Sequence, residues 1–120
     1  MRASTISLLV LSLLVAAEAS MRDDSRPKCK SCTANLVTIT TTGAGAKAMD
    51  WDEINENGKC AMRTFICMGR NANIEVNGGD GVIDDQGTGI VIFTVTCNED
   101  GTAWGGAGTE VTQIECSAAE

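Results

Sequence analysis

The sequence predicts an all-β fold, a small antiparallel β-sandwich of about six or seven short strands cross-linked by disulfides. The run IVIFTVTC at 90–97 is rich in β-branched residues and alternates by period two. Shorter segments of the same kind recur between turns rich in glycine and asparagine, and six cysteines are spread along the chain. Because helical periodicity is weak throughout, these features favour strands over helices.

The first 28 residues precede the predicted domain. A positive start at Arg2, an apolar run from Ile6 to Ala17 and the sequence Ala17-Glu18-Ala19 predict a secretory signal peptide over residues 1–19. The apolar run is too short to cross a bilayer, which takes about 20 residues. Residues 20–28 are charged and contain the only proline, so they are expected to form a flexible lead-in. The mature protein is therefore expected to be secreted into the extracellular space without membrane insertion.

The net charge of −7 narrows the classes of partner. Cleavage after residue 19 would remove one basic and one acidic residue, Arg2 and Glu18, and would leave this net charge unchanged. An acidic protein is poorly suited to nucleic acids or anionic membranes, which are bound through lysine and arginine. No nucleic acid partner is therefore expected.

Six cysteines follow the predicted cleavage site: Cys29, Cys32, Cys60, Cys67, Cys97 and Cys116. An even number in a secreted chain predicts three disulfides. The Cys29-x-x-Cys32 spacing also suits zinc, but the chain has no histidine and no second C-x-x-C to complete a site. A redox role is also disfavoured, because reactive pairs open a helix and this pair precedes a predicted strand.

Two expectations about pairing follow from the strands. Residues 60–68, CAMRTFICM, predict a strand in which Cys60 and Cys67 lie about 23 Å apart. A disulfide requires a Cα separation of roughly 5.5–6 Å, so these two cysteines are predicted not to pair. Turns at Asp100-Gly101 and at 105–108 would bring Cys97 and Cys116 to the same end of a sheet, which favours a bond between them.

The domain is predicted to span 29–117, with a tail at 118–120. Its first strand, NLVTIT at 35–40, places Val37 and Ile39 on one face. The segment 47–58 is interpreted as a connection, and 60–68 as a strand with Phe65 and Cys67 inward. Arg63 shares that inward side, so it is expected at a sheet edge.

The second half contains the central strand. Residues 73–77 predict a short strand with Ile74 and Val76 inward, and 78–89 predict a loop rich in turn formers. In the strand 90–97 one face carries Val91, Phe93, Val95 and Cys97, and the other carries Ile90, Ile92, Thr94 and Thr96. After a reversal at Asp100-Gly101 and a glycine-rich turn, the last segment is anchored by Val111, Ile114 and Cys116.

The candidate site residues are one tryptophan and three aspartates. Trp104 is expected in the core, because the preceding turn directs it back onto the central strand. Trp51, set among acidic residues, is either a core residue or an exposed partner contact. In the loop 78–89, Asp80, Asp84 and Asp85 resemble calcium ligands, but their spacing does not match an EF-hand or an RTX repeat. A solvated acidic loop beside Trp51 is therefore expected, with no metal or cofactor.

No catalytic arrangement stands out. Without histidine a Ser-His-Asp triad cannot form. A carboxylate pair is available in any acidic protein, but no spacing selects two residues. The expected function is therefore a binding or structural module for an unknown extracellular protein or glycan, without enzymatic activity. The alternative is an acidic hydrolase that uses a carboxylate pair.

The chain resembles the six-cysteine ("C-six") domain of nematode secreted proteins, a domain of unknown function. The likeness covers about residues 29–117 and includes all six cysteines; it is carried by Cys29-x-x-Cys32 with the following VTIT, Cys60-x-x-Arg63-Thr64-Phe65-x-Cys67, Ala72-Asn73-Ile74-Glu75, Thr94-Val95-Thr96-Cys97-Asn98, Gly101, Trp104 and Ile114-x-Cys116. Lys59 departs from the family pattern, in which glycine directly precedes the cysteine that corresponds to Cys60. The resemblance implies secretion and three disulfides, and it implies no activity.

Overall fold

The structure, a computed structural model, describes residues 27–106 and 108–119. The predicted signal peptide and the first seven residues of the predicted lead-in lie outside these ranges. Within them, two five-stranded sheets pack as a sandwich, which confirms the predicted fold class. No helix in this part of the chain has the length and apolarity needed to span a membrane.

The described residues form ten strands, more than the six or seven predicted, because several are very short. Two 3-10 turns, Lys28–Lys30 and Ala34–Leu36, precede them. In chain order the strands are β1 (Thr38–Thr40), β2 (Ala46–Lys47), β3 (Trp51–Asn55), β4 (Met62–Met68), β5 (Arg70–Val76), β6 (Gly81–Asp84), β7 (Ile90–Cys97), β8 (Trp104–Gly106), β9 (Thr109–Val111) and β10 (Gln113–Ala119).

The strands divide between two sheets. Sheet A has the order β1-β10-β5-β6, with β2 also paired to β10, and sheet B has the order β3-β4-β7-β8-β9. The pairs are antiparallel, as predicted, with the exception of β1 and β10, which pair in parallel. Parallel pairing is possible here because most of the domain separates the two strands in sequence.

The predicted central strand is confirmed. β7 lies in the middle of sheet B, with buried and exposed residues in strict alternation. Its inner residue Phe93 stacks near Phe65 of β4, with ring centroids 6.4 Å apart. Ile74, Val76, Ile114 and Cys116 of sheet A are buried against this face, as predicted. Trp104 is 0% exposed, which confirms its core position, and its Nε1–H donates to the Thr33 carbonyl at 2.9 Å.

The three disulfides are Cys29–Cys60, Cys32–Cys97 and Cys67–Cys116. The prediction that Cys60 and Cys67 do not pair is confirmed. The predicted Cys97–Cys116 bond is wrong, because the chain crosses to sheet A after β9. There β10 places Cys116 opposite Cys67 of sheet B, while Cys97 bonds to the N-terminal segment.

The prediction that Arg63 lies at a sheet edge is wrong. Arg63 lies on β4, between β3 and β7, and is only 2% exposed. Its guanidinium donates two hydrogen bonds of 2.7 Å to the Asp52 carboxylate and a third of 2.9 Å to the Ala34 carbonyl. It also lies 4.6 Å from the Phe65 ring centroid. Burial is tolerated because the planar group has both a counter-charge and hydrogen-bond partners.

Two segments predicted as irregular contain strands. The predicted connection 47–58 includes all of β3, and the predicted loop 78–89 includes β6. At the other end of the domain, β10 continues to Ala119, two residues past the predicted boundary. Leu36, within the first predicted strand, instead belongs to a 3-10 turn. Short strands flanked by glycines and acidic residues resemble loops in composition, since their pairing partners are distant in sequence.

Candidate functional site

The outer surface of sheet B carries a cluster of exposed apolar side chains. Residues paired across antiparallel strands share a face, and Trp51 of β3 pairs with Ile66 of β4, which pairs with Ile92 of β7. In the next row Met68 pairs with Ile90. We call these five residues, which belong to three adjacent strands, the apolar face. Trp51 is 52% exposed and Ile92 is 61% exposed.

The alternation of β4 and β7 explains how these side chains reach the surface. Their inner positions fill the core, so every second residue points outward. In the row after Trp51 the outward positions of β4 and β7 are threonines, with Thr64 opposite Thr94, as a solvated face requires; beyond them Met62, 45% exposed, lies opposite Thr96. Near Trp51 the same alternation brings isoleucine and methionine to the surface instead. The apolar face therefore occupies one end of sheet B.

A polar clamp holds the start of β3 in place beside this face. The Asp50 carboxylate accepts a hydrogen bond of 2.7 Å from the backbone N–H of Met68 and forms an ion pair of 2.7 Å with Lys47. The Lys47 ammonium also donates to the Met68 carbonyl at 2.7 Å. Hydrogen bonding from Lys47, and secondarily from Met68, lowers the pKa of Asp50. The clamp fixes the backbone immediately before Trp51.

The predicted acidic residues are not gathered at one place. Asp85 organises the turn after β6, with its two carboxylate oxygens accepting hydrogen bonds of 3.0 Å from the N–H groups of Gly87 and Gly89. These backbone donors, Gly87 first, lower the pKa of Asp85. The N–H of Gly69 donates to the Gly89 carbonyl at 3.0 Å, which places this turn next to Met68 at the end of the apolar face.

Asp84 and Asp80 belong to β6 of sheet A and to the turn before it. Asp84 pairs with Asn73 on sheet A, and its carboxylate accepts a hydrogen bond of 3.3 Å from Gln86. Asp80 precedes β6 at the opposite end of that strand, about 10 Å or more along it. In the ranges that the structure describes, no three acidic or cysteine side chains converge where they could hold a metal ion.

The outer surface of sheet A is polar along β5 and β10, where several hydrogen bonds hold Glu115. One oxygen of its carboxylate accepts hydrogen bonds from the N–H groups of Thr42 at 2.6 Å and Gly43 at 3.3 Å, and from the Thr40 hydroxyl at 3.1 Å. These donors, the backbone of Thr42 first, lower the pKa of Glu115. Glu115 pairs across the sheet with Glu75, so two carboxylates are neighbours here.

Sequence reasoning selected Trp51 but not the side chains beside it. The period-two pattern predicts Ile66, Met68, Ile90 and Ile92 only as outer positions of strands, without a functional role. The available signal was the presence of apolar residues on both faces of IVIF at the start of β7 and of FICM at the end of β4. A strand with one solvated face is expected to show polar residues at alternate positions.

The chain is similar to known sequences over its folded part. A family model described as the C6 domain matches residues 29–116. "Uncharacterized protein R07B1.7" of Caenorhabditis elegans is 34% identical over 102 residues, which cover 78% of this chain and 68% of the relative. The comparison with solved structures found no significant match.

Proposed function

The chain belongs to the C6 domain family, and we propose that its mature domain is a secreted, extracellular binding module without catalytic activity. The observation that carries this proposal is the apolar face around Trp51. Exposed apolar side chains do not contribute the free energy that burial of apolar area provides. Contiguous apolar patches on a protein surface commonly mark interaction sites. The three disulfides support an oxidising, extracellular location.

The composition of the apolar face favours a protein partner over a glycan. Its one aromatic residue, Trp51, is surrounded by isoleucine and methionine, and this combination is typical of the centre of protein interfaces. Tryptophan is also the residue type most enriched among the contacts that dominate binding energy. A sugar-binding platform would gain more from additional aromatic rings.

Charge indicates the chemistry of that partner. Glu53 lies one row from Trp51 on the same face of sheet B, and Asp85 lies at the end of this face, while the whole chain carries −7. Two copies docked through this face would repel each other. We therefore expect a different extracellular protein, with an apolar contact surface and basic side chains around it.

The alternative, a hydrolase with two carboxylates, has weaker support. The closest arrangement to it is the cross-strand pair Glu75 and Glu115. In such enzymes one carboxyl must stay protonated to act as the acid, so its pKa must be raised. Hydrogen bonds instead lower the pKa of Glu115, so Glu115 is unsuited to the role of the acid. A screen with glycan, peptide and ester substrates tests this alternative, and turnover abolished by Glu115→Gln would establish it.

Capture from extracellular extract, with variants on the two outer surfaces, tests the proposed partner. Ile92 of the apolar face and Val82 of sheet A are similarly exposed, at 61% and 60%. A specific partner should be captured by the native domain and by Val82→Ser, but lost with Trp51→Ala and with Ile92→Ser. All three variants should keep the native melting temperature, because surface substitutions usually change stability by less than about 0.5 kcal/mol.

The same assay can contradict the proposal in two ways. Partner capture that is unaffected by both Trp51→Ala and Ile92→Ser would remove the apolar face as the site. Capture that survives digestion of the extract with protease but is lost after glycosidase treatment would change the partner class to glycan. A photo-crosslinking residue placed at position 92, with position 82 as the control, identifies the bound molecule directly.

A further inference from the structure

The chain contains two Asn-Gly sequences, Asn57-Gly58 and Asn77-Gly78, whose chemistry is independent of the proposed function. In such a sequence the glycine backbone nitrogen can attack the asparagine side-chain carbonyl carbon. A five-membered succinimide forms and ammonia leaves; water then opens the ring to aspartate or isoaspartate. The reaction consumes one water, releases one ammonia and needs no oxidant or reductant. Glycine favours it because no side chain hinders the attacking nitrogen.

Asn57 lies in the connection between β3 and β4, where it and Gly58 are both exposed. Its backbone N–H donates to the Asn55 side chain at 2.8 Å, but its own amide group makes no hydrogen bond among the described residues. A side chain added at Gly58 would meet only the Cys60 carbonyl, at 3.8 Å. The Asn57 amide is therefore free to rotate towards the nitrogen of Gly58.

Asn77 has the opposite environment. Its side-chain oxygen accepts hydrogen bonds from the N–H groups of Thr112 at 2.8 Å and Gln113 at 3.3 Å, and its amide nitrogen donates to the Glu110 carbonyl at 2.7 Å. The backbone N–H of Asn77 also donates to the Gln113 carbonyl at 2.8 Å. Succinimide formation would require the side chain to leave these partners, so the connection between β9 and β10 would lose its support.

We infer that Asn57 is a deamidation site of the folded protein and that the fold protects Asn77 from the same reaction. Conversion of Asn57 adds one negative charge to an already acidic domain. An isoaspartate at this position also adds one atom to the main chain, three residues before Cys60. The product therefore alters the connection that ends at the Cys29–Cys60 disulfide.

Peptide mapping by mass spectrometry tests this inference. The oxidised, folded protein is incubated at mildly alkaline pH, and conversion at positions 57 and 77 is followed over time. We expect Asn57 to convert roughly tenfold or more faster than Asn77, because only Asn77 must first break several hydrogen bonds. Isomerisation at Asp80-Gly81 or Asp100-Gly101 does not interfere, because it leaves the mass unchanged.

Two controls separate the effect of structure from that of sequence. In the reduced and denatured chain both asparagines should convert at similar rates, since each precedes glycine. Gly58→Ala should slow conversion at Asn57 several-fold in the folded protein and leave Asn77 unaffected. Equal rates in the folded state, or faster conversion at Asn77, would overturn the inference. It would also be overturned if Asn57 were preferred over Asn77 in the denatured chain by the same factor as in the folded protein.

Discussion

The two outer surfaces of the sandwich differ in chemistry, although their inner surfaces share one core. On sheet A the outward positions of β5 and β10 are polar, with Asn73 opposite Ser117 and Glu75 opposite Glu115. On sheet B the outward positions near Trp51 are apolar, with Ile66 opposite Ile92 and Met68 opposite Ile90. Polar outward residues are what a solvated sheet requires. The apolar ones are not needed to form the core.

This difference separates the residues that make the fold from those available for contact. The core is already supplied by the inner residues of β4, β5, β7 and β10. Replacing an outward isoleucine by threonine would leave that core unchanged and would suit the solvent better. Formation of the core therefore does not account for the apolar face, and for this reason we propose sheet B, and not sheet A, as the binding surface.

The sharpest test of inward and outward positions uses two neighbours on β7. Phe93→Ala should destabilise the domain by about 3–5 kcal/mol, because it leaves a cavity beside Phe65. Thr94→Ala, on the outward side, should change stability by less than about 0.5 kcal/mol. Urea unfolding of both variants measures the two effects. Equal losses would mean that both sides of β7 are buried, and the distinction between core and contact residues would fail.

The two sheets are expected to unfold as one unit, because the disulfide Cys67–Cys116 joins them covalently. Replacing both cysteines by alanine should lower the free energy of unfolding by about 2–5 kcal/mol, chiefly by releasing a constraint on the unfolded chain. Tryptophan fluorescence, which reports on sheet B alone, and circular dichroism should still give coincident transitions. Separate transitions would show that the two sheets unfold independently. The outer surface of sheet A would then not be a valid reference for the outer surface of sheet B.

Much of this arrangement was predictable from local pattern. The alternation of β7 was read correctly because its period-two pattern is carried by consecutive residues, and the same holds for Phe65 and Cys67 on β4. The exclusion of a Cys60–Cys67 bond followed from strand length alone. Trp104 was placed correctly because a single turn at Gly101, where φ is +74°, connects it to β7.

The failures involve residues whose partners are distant in sequence. The predicted partner of Cys97 is wrong because nothing in the local sequence indicates that β10 joins sheet A. This strand carries Cys116 to Cys67, which precedes it by 49 residues. Arg63 was placed at an edge because an arginine on an inner face has a large desolvation cost. The ion pair with Asp52 offsets that cost. Asp52 lies on β3, which was not predicted as a strand because its composition is acidic. Trp51 is exposed, but the row that joins it to Ile66 and Ile92 depends on strand register, which the sequence does not show.

The polar surface of sheet A should respond to acid through Glu115. Its pKa is lowered in the folded state, so its contribution to stability is complete above the unfolded value of about 4.3 and is lost as the pH falls through the folded pKa. Glu115→Gln should therefore lower stability at neutral pH and flatten its decline below about pH 4. Urea midpoints measured across this pH range provide the test.

Thr42→Val is the matched control for that variant. It removes a hydroxyl 3.4 Å from Glu115 but keeps the backbone N–H of Thr42, the largest cause of the lowered pKa. Its acid response should remain close to that of the native protein. If Glu115→Gln and Thr42→Val behave alike, the backbone N–H groups do not hold the carboxylate as described.

The smallest expected change in stability, and the most direct view of the two surfaces, comes from Ile92→Thr and Val82→Thr. Both side chains are similarly exposed, so each variant should unfold within about 0.5 kcal/mol of the native protein. An apolar fluorescent dye should respond differently, because Ile92 lies beside Ile66 in the apolar face, whereas Val82 of the edge strand β6 lies opposite Glu75. Dye fluorescence should fall with Ile92→Thr and stay unchanged with Val82→Thr. Equal responses would mean that the surfaces do not differ in apolar character, and the reason for placing the partner on sheet B would be lost.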